Sequence, residues 1–179
     1  RNGGVGSRMA FSKENQAFLD ERGAQMFPTL APEEVERLRR FGEPRHYAKG
    51  EWVAKAGEKA AGLIIFLSGE VEVTQNDGDR GSSHIVTHGP GTFMGELAQL
   101  SGRPSLVDGV ALSDVDALTI PSDRLRAVLI AEANLGETIM RALILRRVGL
   151  IRSGGGGPVI VGREDNADVL RLVAFLRRN

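Results

Sequence analysis

Short apolar runs separated by glycine-containing turns fill residues 47–96, and this pattern constrains the fold more than any other feature of the sequence. Short strands at regular spacing with such turns are typical of a barrel or a roll. A further pair of strands is predicted in residues 107–122. The sequence therefore predicts a mainly β domain. The turn signals are Lys49-Gly50, Ala56-Gly57, Ser68-Gly69, Asp77-Gly78 and Gly89-Pro90-Gly91.

Two of the predicted strands differ in their expected burial. Val71 and Val73 alternate with Glu72 and Thr74, which predicts one apolar face and one polar face. Residues 63–67, Leu-Ile-Ile-Phe-Leu, are apolar throughout, which is typical of a strand that is buried on both sides.

A helical segment precedes the β region, within residues 9–47. Its clearest helix begins at Pro32, with Glu33 and Glu34 in the first turn, where carboxylates interact favourably with the helix dipole. Gly42 is the predicted stop of this segment.

Two helices are predicted after the roll. Ser122 is expected to cap the first, over residues 123–134, and the second covers residues 135–151. The second helix carries an apolar stripe at helical spacing. Two interpretations of the stripe stay open, namely packing against the roll and a homodimer through residues 135–151. The stripe consists of Leu135, Ile139, Leu143 and Arg146, with Met140, Ile144 and Val148 beside them.

Four consecutive glycines, Gly154 to Gly157, are followed by Pro158 and cannot continue a helix cheaply. We place a domain boundary there. The last segment is predicted to form one strand and one amphipathic helix, which is too little for a domain of its own. The expected parts are an N-terminal tail or helix (1–26), the β-rich domain (27–152), a glycine linker (153–157) and a further segment (158–179).

The composition excludes several classes of function. The 23 Lys and Arg residues balance 23 Asp and Glu residues, and a chain without positive excess is a poor candidate for a general nucleic-acid binder. The absence of cysteine excludes disulfides, thiolate metal sites and thiol redox chemistry within these residues. The lack of cysteine fits a cytoplasmic protein. No apolar run has the length of a membrane span, so we expect no membrane partner.

The histidines and the large aromatic residues have structural interpretations. His46, His84 and His88 lack a second ligand at metal-binding spacing, so we expect surface positions and no metal. Tyr47 and Trp52 are expected to pack on the roll.

The sequence Phe-Met-Gly-Glu-Leu-Ala-Gln-Leu at residues 93–100 is the best candidate for a binding site. Gly95 allows the backbone to approach a ligand, and free amide groups at a helix start attract anions. The carboxylate of Glu96 can accept hydrogen bonds from sugar hydroxyls. One interpretation is therefore an anionic ligand that carries a sugar, and the other is an ordinary Gly-Glu turn.

The order of elements from residue 27 to residue 151 resembles the cyclic nucleotide-binding domain of catabolite activators and protein-kinase regulatory subunits. The resemblance implies a jelly-roll-like β-roll with flanking helices and a C-terminal two-helix segment. Residues 93–105, which end in Gly-Arg-Pro-Ser, are similar to the family's phosphate-binding cassette. The usual form of that cassette is Phe-Gly-Glu-Leu-Ala-Leu, a short spacer, and then Pro-Arg-Ala-Ala or Pro-Arg-Ala-Thr.

The first half of the cassette matches the family pattern. The resemblance implies that Gly95 and Leu97 offer backbone amides to the cyclic phosphate. It implies that Glu96 holds the ribose 2′-hydroxyl, and Ala98 matches the alanine that follows in the pattern.

The second half departs from the pattern. Pro104 matches the proline before the phosphate arginine, but Ser105 stands at the position of the arginine itself. Loss of one member of a buried charge pair costs about 2–5 kcal/mol, or roughly 30-fold to several-thousand-fold in affinity. Arg103 either replaces the missing charge, stays in solvent, or forms a bridge to Asp108. We expect weak or absent binding of cyclic AMP and cyclic GMP.

Residues 42–53, 89–111 and 139–151 also resemble a bacterial arrangement in which such a domain precedes a flavin-dependent, thioredoxin-reductase-like oxidoreductase. The resemblance implies a non-catalytic regulatory fragment without a cofactor of its own, followed by a thioredoxin-like start at 158–179. FAD and NADPH are expected only in the downstream oxidoreductase part.

Two alternatives to that assignment stay open. One is the sensor of a transcription regulator without its DNA-binding part, since no two-helix DNA reader is present here. The other is a structural dimerisation module whose pocket is filled by side chains such as Leu106.

Overall fold

The computed structural model describes residues 13–59, 61–76, 81–95, 103–152 and 171. This part of the chain forms two antiparallel sheets, with two helices before them and two after them. The predicted mainly β roll with a C-terminal two-helix segment is confirmed. The strands are β1 (Glu43–Tyr47), β2 (Trp52–Ala54), β3 (Leu63–Phe66), β4 (Val71–Asn76), β5 (Ser82–His88), β6 (Phe93–Met94), β7 (Asp108–Ala111) and β8 (Val115–Ile120). The helices are α1 (Lys13–Met26), α2 (Pro32–Leu38), α3 (Ser122–Ala131) and α4 (Ala133–Arg152), with a 3-10 helix at Arg39–Phe41.

The strands lie in the order β1-β8-β3-β6 in one sheet, sheet A, and β2-β7-β4-β5 in the other, sheet B. One hydrophobic core lies between the two sheets, and a second lies between sheet A and the helices. Leu63 and Ile65 belong to the helix-side core, while Ile64 and Phe66 belong to the core between the sheets. Strand β3 is therefore buried on both sides, as its sequence predicts.

The alternation predicted for β4 is also confirmed. Val71 and Val73 are buried between the sheets, whereas Glu72 and Thr74 are only half-buried on the opposite face. Because side chains alternate along a strand, this register keeps the apolar pair inside the roll.

Helix α2 begins at Pro32, as predicted. The Glu34 carboxylate accepts a hydrogen bond from the Ala31 backbone amide at 2.8 Å, which satisfies one of the free donors at the helix start. The first helix after the roll begins one residue earlier than predicted. Ser122 is its first helical residue, and Pro121 occupies the cap position without any side-chain hydrogen bond.

The apolar stripe of α4 packs on the domain. Its four principal residues, from Leu135 to Arg146, are all buried, which confirms the first interpretation of the stripe, packing against the roll. Near the end of α4, Leu150 packs against the core between the sheets. Helix α1 lies along α4, with the Arg152 guanidinium 4.5 Å from the centre of the Phe18 ring.

The two large aromatic residues of β1 and β2 behave differently. Tyr47 is buried, as expected, but the Trp52 side chain is 51% exposed, so its predicted packing on the roll is wrong. Strand β2 is an edge strand of sheet B, and Val53 supplies its inward-facing side chain. Trp52 consequently points outward, where Lys55 lies 5.7 Å from its ring.

The predicted linker (153–157) and the segment 158–179, apart from Arg171, lie outside the described residues, as does the tail before residue 13. Within the described ranges, no helix combines the length and the apolar character that a membrane crossing requires.

Candidate functional site

The candidate site begins where β6 ends. Phe93 and Met94 form this short strand, and their side chains lie in the helix-side core and the core between the sheets, respectively. Gly95 follows directly and is buried. The predicted ligand-binding residues Glu96, Leu97 and Ala98 lie outside the described residues, and their contacts stay predictions.

The other end of the cassette returns to the body of the roll at the turn after β2. Pro104 forms an isolated antiparallel bridge with Lys59. The Ser105 carbonyl accepts a hydrogen bond from the Gly57 amide, and the Ser105 amide donates to the Glu58 carbonyl, both at 2.9 Å. The backbone at Ser105 is thus fixed by main-chain pairing on both sides.

The Ser105 side chain is engaged with its own segment. It is 5% exposed, and its hydroxyl donates to the Val107 carbonyl at 2.9 Å. The same oxygen accepts a hydrogen bond from the Val107 amide at 3.3 Å. Because a hydroxyl has a single proton, Ser105 offers no second donor to an anion in this arrangement.

The two charged residues beside Ser105 do not pair with each other. The Asp108 carboxylate accepts a hydrogen bond from the Ala56 amide at 2.7 Å and thereby stabilises the turn after β2. Arg103 is exposed, and across the described ranges it makes neither a hydrogen bond nor an ion pair. The bridge between Arg103 and Asp108 is therefore not formed, and Arg103 remains available in solvent.

Arg146 of α4 is a contact residue of the cassette that the sequence did not single out as functional. Its Nη1 atom donates to the Gly95 carbonyl at 3.3 Å, and its Nε atom donates to the Met26 carbonyl at 2.7 Å. The guanidinium carbon lies 4.7 Å from the Phe93 ring centre and 5.0 Å from the Phe27 ring centre. The sequence signal was an arginine within an apolar stripe, at a spacing that places it on the buried face.

His88 lies beside this cluster, and its expected surface position is wrong. It is 2% exposed at the end of β5, where its ring contacts those of Phe27 and Phe66. Thr92 donates its hydroxyl proton to the Gly89 carbonyl, so the His88 Nδ1 atom, 3.1 Å from that hydroxyl, is the donor of the pair. Burial, and secondarily the charge of Arg146, lowers the pKa of His88 to about 3.

A second polar cluster lies on an open groove of about 530 Å³ on sheet A. The His46 ring is 2.8 Å from one Asp116 oxygen, and Ser68 donates its hydroxyl to the other at 3.1 Å. The hydrogen bond to Asp116 raises the pKa of His46, and the same bond lowers the pKa of Asp116. Because Ser68 is bonded to the acid and not to the imidazole, this cluster lacks the nucleophile–base pair of a hydrolase.

Metal ligation has no support among the described residues. Nowhere in these ranges do three or more His, Asp or Glu side chains come together in a way that could hold an ion.

The residues matched by comparison with known protein families include this site. Residues 44–132 match the family model described as the cyclic nucleotide-binding domain. The roll is a cyclic nucleotide-binding domain like those of catabolite-activator regulators. The match includes both ends of the cassette, at Gly95 and at Pro104–Ser105, although their contacts with a ligand stay predictions.

The relatives of this domain include two bacterial proteins whose names refer to cyclic AMP. The chain is 24% identical over 123 residues to the CRP-like cAMP-activated global transcriptional regulator of Mycobacterium tuberculosis, covering 69% of this chain and 55% of the relative. It is 27% identical over 127 residues to the Cyclic AMP receptor protein of Thermus thermophilus, covering 71% and 58%. The chain thus spans less than two thirds of either relative.

A solved structure shows the same fold. The Catabolite Activator Protein of Thermus thermophilus superimposes with a TM-score of 0.59 and 24% sequence identity, over 69% of this chain and 58% of that chain. This likeness establishes the arrangement of the cyclic nucleotide-binding domain, with its roll and its flanking helices.

Proposed function

We propose that this chain is a non-catalytic, ligand-sensing regulatory domain that takes a small anionic, nucleotide-like ligand and has low affinity for cyclic AMP and cyclic GMP. The low affinity is inferred from Ser105, which stands at the position of the family's phosphate-binding arginine. Its hydroxyl donates to the Val107 carbonyl. The roll and Gly95 support the first part of the proposal, because the described ends of the cassette, at Gly95 and at Pro104, are anchored on the domain.

The low affinity has an electrostatic reason. A cyclic phosphate carries a full negative charge, and a buried phosphate without a cationic partner forfeits about 2–5 kcal/mol. Arg103 is exposed, and the Arg146 guanidinium donates to two backbone carbonyls. Backbone amides alone therefore carry the recognition of the anion, unless Arg103 turns towards it on binding.

Isothermal titration calorimetry with cyclic AMP and cyclic GMP tests this proposal on the 179-residue chain. The expected result is a dissociation constant well above the micromolar range. Sub-micromolar binding of either nucleotide would overturn the low-affinity part.

An Arg103→Ala variant tests whether Arg103 supplies the positive charge for the phosphate. If tight binding occurs and is lost in this variant, Arg103 replaces the missing arginine. The matched control is Arg124→Ala, because Arg124 is also exposed but pairs with Glu43 at 3.3 Å, away from the cassette.

For the whole protein we propose a regulatory role in a thioredoxin-reductase-like flavoprotein, supported by the sequence resemblance of residues 42–53, 89–111 and 139–151. The test compares the reductase rates of the full-length protein with and without ligand. The second candidate, the sensor of a transcription regulator, is favoured by the name of the relative from Mycobacterium tuberculosis. A downstream gene sequence that encodes cysteine pairs and dinucleotide-binding glycine motifs selects the first, and a basic helix-turn-helix selects the second.

We further propose a homodimer through residues 135–151. Ile144 and Ile151 support it, because they are 46% and 58% exposed on the face of α4 opposite the buried stripe. Sedimentation of the wild type is expected to show a dimer that an Ile144→Glu variant dissociates. Ile130→Glu on α3 is the control, since Ile130 is 85% exposed but lies outside the proposed interface.

A further inference from the structure

The Arg146 guanidinium connects three parts of the chain that are distant in sequence. Its own helix is α4, its Nε atom binds the Met26 carbonyl at the end of α1, and its Nη1 atom binds the Gly95 carbonyl at the start of the cassette. The two carbonyls lie 120 and 51 residues away in the chain. A single side chain of α4 therefore contacts both the end of α1 and the start of the cassette.

The guanidinium is held in one place. Arg146 is only 7% exposed, and aromatic rings of Phe27 and Phe93 lie within 5.0 Å of its charged carbon. Phe27 follows α1 directly and Phe93 is the first residue of β6, so the rings belong to the same two segments as the carbonyls. Hydrogen bonds to a buried cation are stronger than those in water, and loss of one partner leaves a poorly solvated charge.

The rigid fork of arginine has a consequence for motion. The N–H groups of a guanidinium diverge in one plane, so a shift of one bound carbonyl reorients the donors that hold the other. Glycine has more backbone freedom than other residues, so the orientation of the Gly95 carbonyl depends on its hydrogen-bond partner. The orientation of the Gly95 carbonyl is thus set from α4, and Gly95 is the first residue of the predicted anion-binding segment.

We propose that Arg146 is a positioning residue that couples the backbone of the cassette at Gly95 to the C-terminal end of α1. A rearrangement of the cassette then changes the packing of α1 on α4, and a change in that packing alters the cassette. The inference rests on the proposed sensing function, since it describes how the ligand state of the roll reaches the helices. It identifies the end of α1, in addition to α4, as a place where that state is read.

Amide hydrogen exchange on the ligand-free chain tests the coupling without any assumption about the ligand. In an Arg146→Met variant, we expect exchange at Met94 and Gly95 and exchange in α1 to rise together by at least about tenfold, relative to the amides of β3 and β8. Arg146→Lys keeps the charge but lacks the fork, so it is expected to rescue little of the coupling. Arg141→Met is the control, because Arg141 is exposed on the same helix and pairs only with Glu137 among the described residues.

If Arg146 had only a structural role, its replacement would change amide exchange in a different pattern. A uniform rise of exchange throughout the chain, or a rise in only one of the two segments, would overturn the proposal. If Arg146→Met fails to fold, a Phe18→Ala variant carries the test, because it loosens α1 from Arg152 without touching Arg146. Exchange at Gly95 is expected to rise in Phe18→Ala, and no such rise would count against the coupling.

The two proposals fail in different ways. If the wild type binds cyclic AMP, we expect the added nucleotide to slow amide exchange in α1. In the Arg146→Lys variant, we expect no such slowing. A wild type that shows no response to cyclic AMP at any concentration agrees with low affinity for that nucleotide and leaves the ligand-free comparison to decide the role of Arg146. Coupled exchange in the absence of ligand supports the inference, and uncoupled exchange refutes it.

Discussion

The hydroxyl of Ser105 donates to the carbonyl oxygen of Val107 over 2.9 Å, at the position where the resemblance to cyclic nucleotide-binding domains places a phosphate-binding arginine. The segment thus uses a short internal hydrogen bond where the family uses an ion pair with its ligand. The turn after β2 holds the backbone of Ser105 in place through both its amide and its carbonyl.

Replacement of Ser105 by alanine is expected to lower the free energy of unfolding by about 1 kcal/mol, because the buried hydrogen bond to Val107 is lost. The affinity for cyclic AMP is expected to stay within about twofold, since the hydroxyl proton is already used within the segment. Urea denaturation and calorimetry measure the two effects. Ser82→Ala, an exposed change on β5, is the control, and a large drop in affinity would show that Ser105 binds the ligand directly.

The stability of the chain is expected to fall below about pH 6 because of His88. Its pKa is about 3 in the folded protein against 6.5 in the unfolded chain, so only the unfolded state takes up the proton between these values. The free energy of unfolding therefore decreases by up to about 1.4 kcal/mol for each pH unit as the pH falls through this window. Denaturation curves at several pH values check the slope.

A His88→Asn variant isolates this contribution. Asparagine can donate to Thr92 but does not titrate, so the slope of stability between pH values of about 6 and 3 should flatten even though the variant is less stable overall. The exposed pair His46–Asp116 is unchanged in both proteins and cancels in the comparison. An unchanged slope would show that His88 is not the group responsible.

Thr119→Val is expected to stabilise the protein by about 1 kcal/mol. Thr119 is 5% exposed, and its hydroxyl oxygen has no hydrogen-bond partner among the described residues. The methyl group of valine fits the same space without an unsatisfied polar atom. Thermal unfolding measures the change, Thr87→Val on the exposed side of β5 serves as control, and a loss of stability in Thr119→Val would contradict the absence of a partner.

Gly69→Ala is expected to be much more destabilising than Gly50→Ala. Both glycines have positive φ, at 76° and 85°, which costs about 1–2 kcal/mol for a residue with a side chain. A Cβ atom at Gly69 would clash with the Asp114 carbonyl oxygen, whereas one at Gly50 has nothing within 4 Å. Chemical denaturation should separate the two by about 1–3 kcal/mol, and equal losses would contradict the steric argument.

Local patterns predicted the elements of the roll well. The alternation at Val71 and Val73 and the continuous apolar run of β3 each depend only on the two-residue period of a strand, which is present in the sequence itself. The start of α2 at Pro32 likewise follows from the fixed φ of proline. Each of these elements depends on residues that are neighbours in the chain, so local sequence was enough to predict a mainly β roll.

The burial of side chains near the edges of the sheets could not be predicted from local sequence. Tyr47 and Trp52 were both expected to pack on the roll, yet one is buried and the other is half exposed. Trp52 lies on an edge strand whose inward position is taken by Val53. His88 was expected at the surface, and its burial depends on Phe27 and Phe66, which lie far from it in the chain.

The sequence by itself determined the strand and turn pattern, the family of the roll and the missing arginine at Ser105, because each is a property of neighbouring residues. Only the tertiary structure decided that Ser105 bonds to Val107, that Asp108 serves the turn after β2, and that Arg146 reaches Gly95. These contacts depend on where distant segments meet, and the burial that gives them their energy exists only after the sheets and helices have packed.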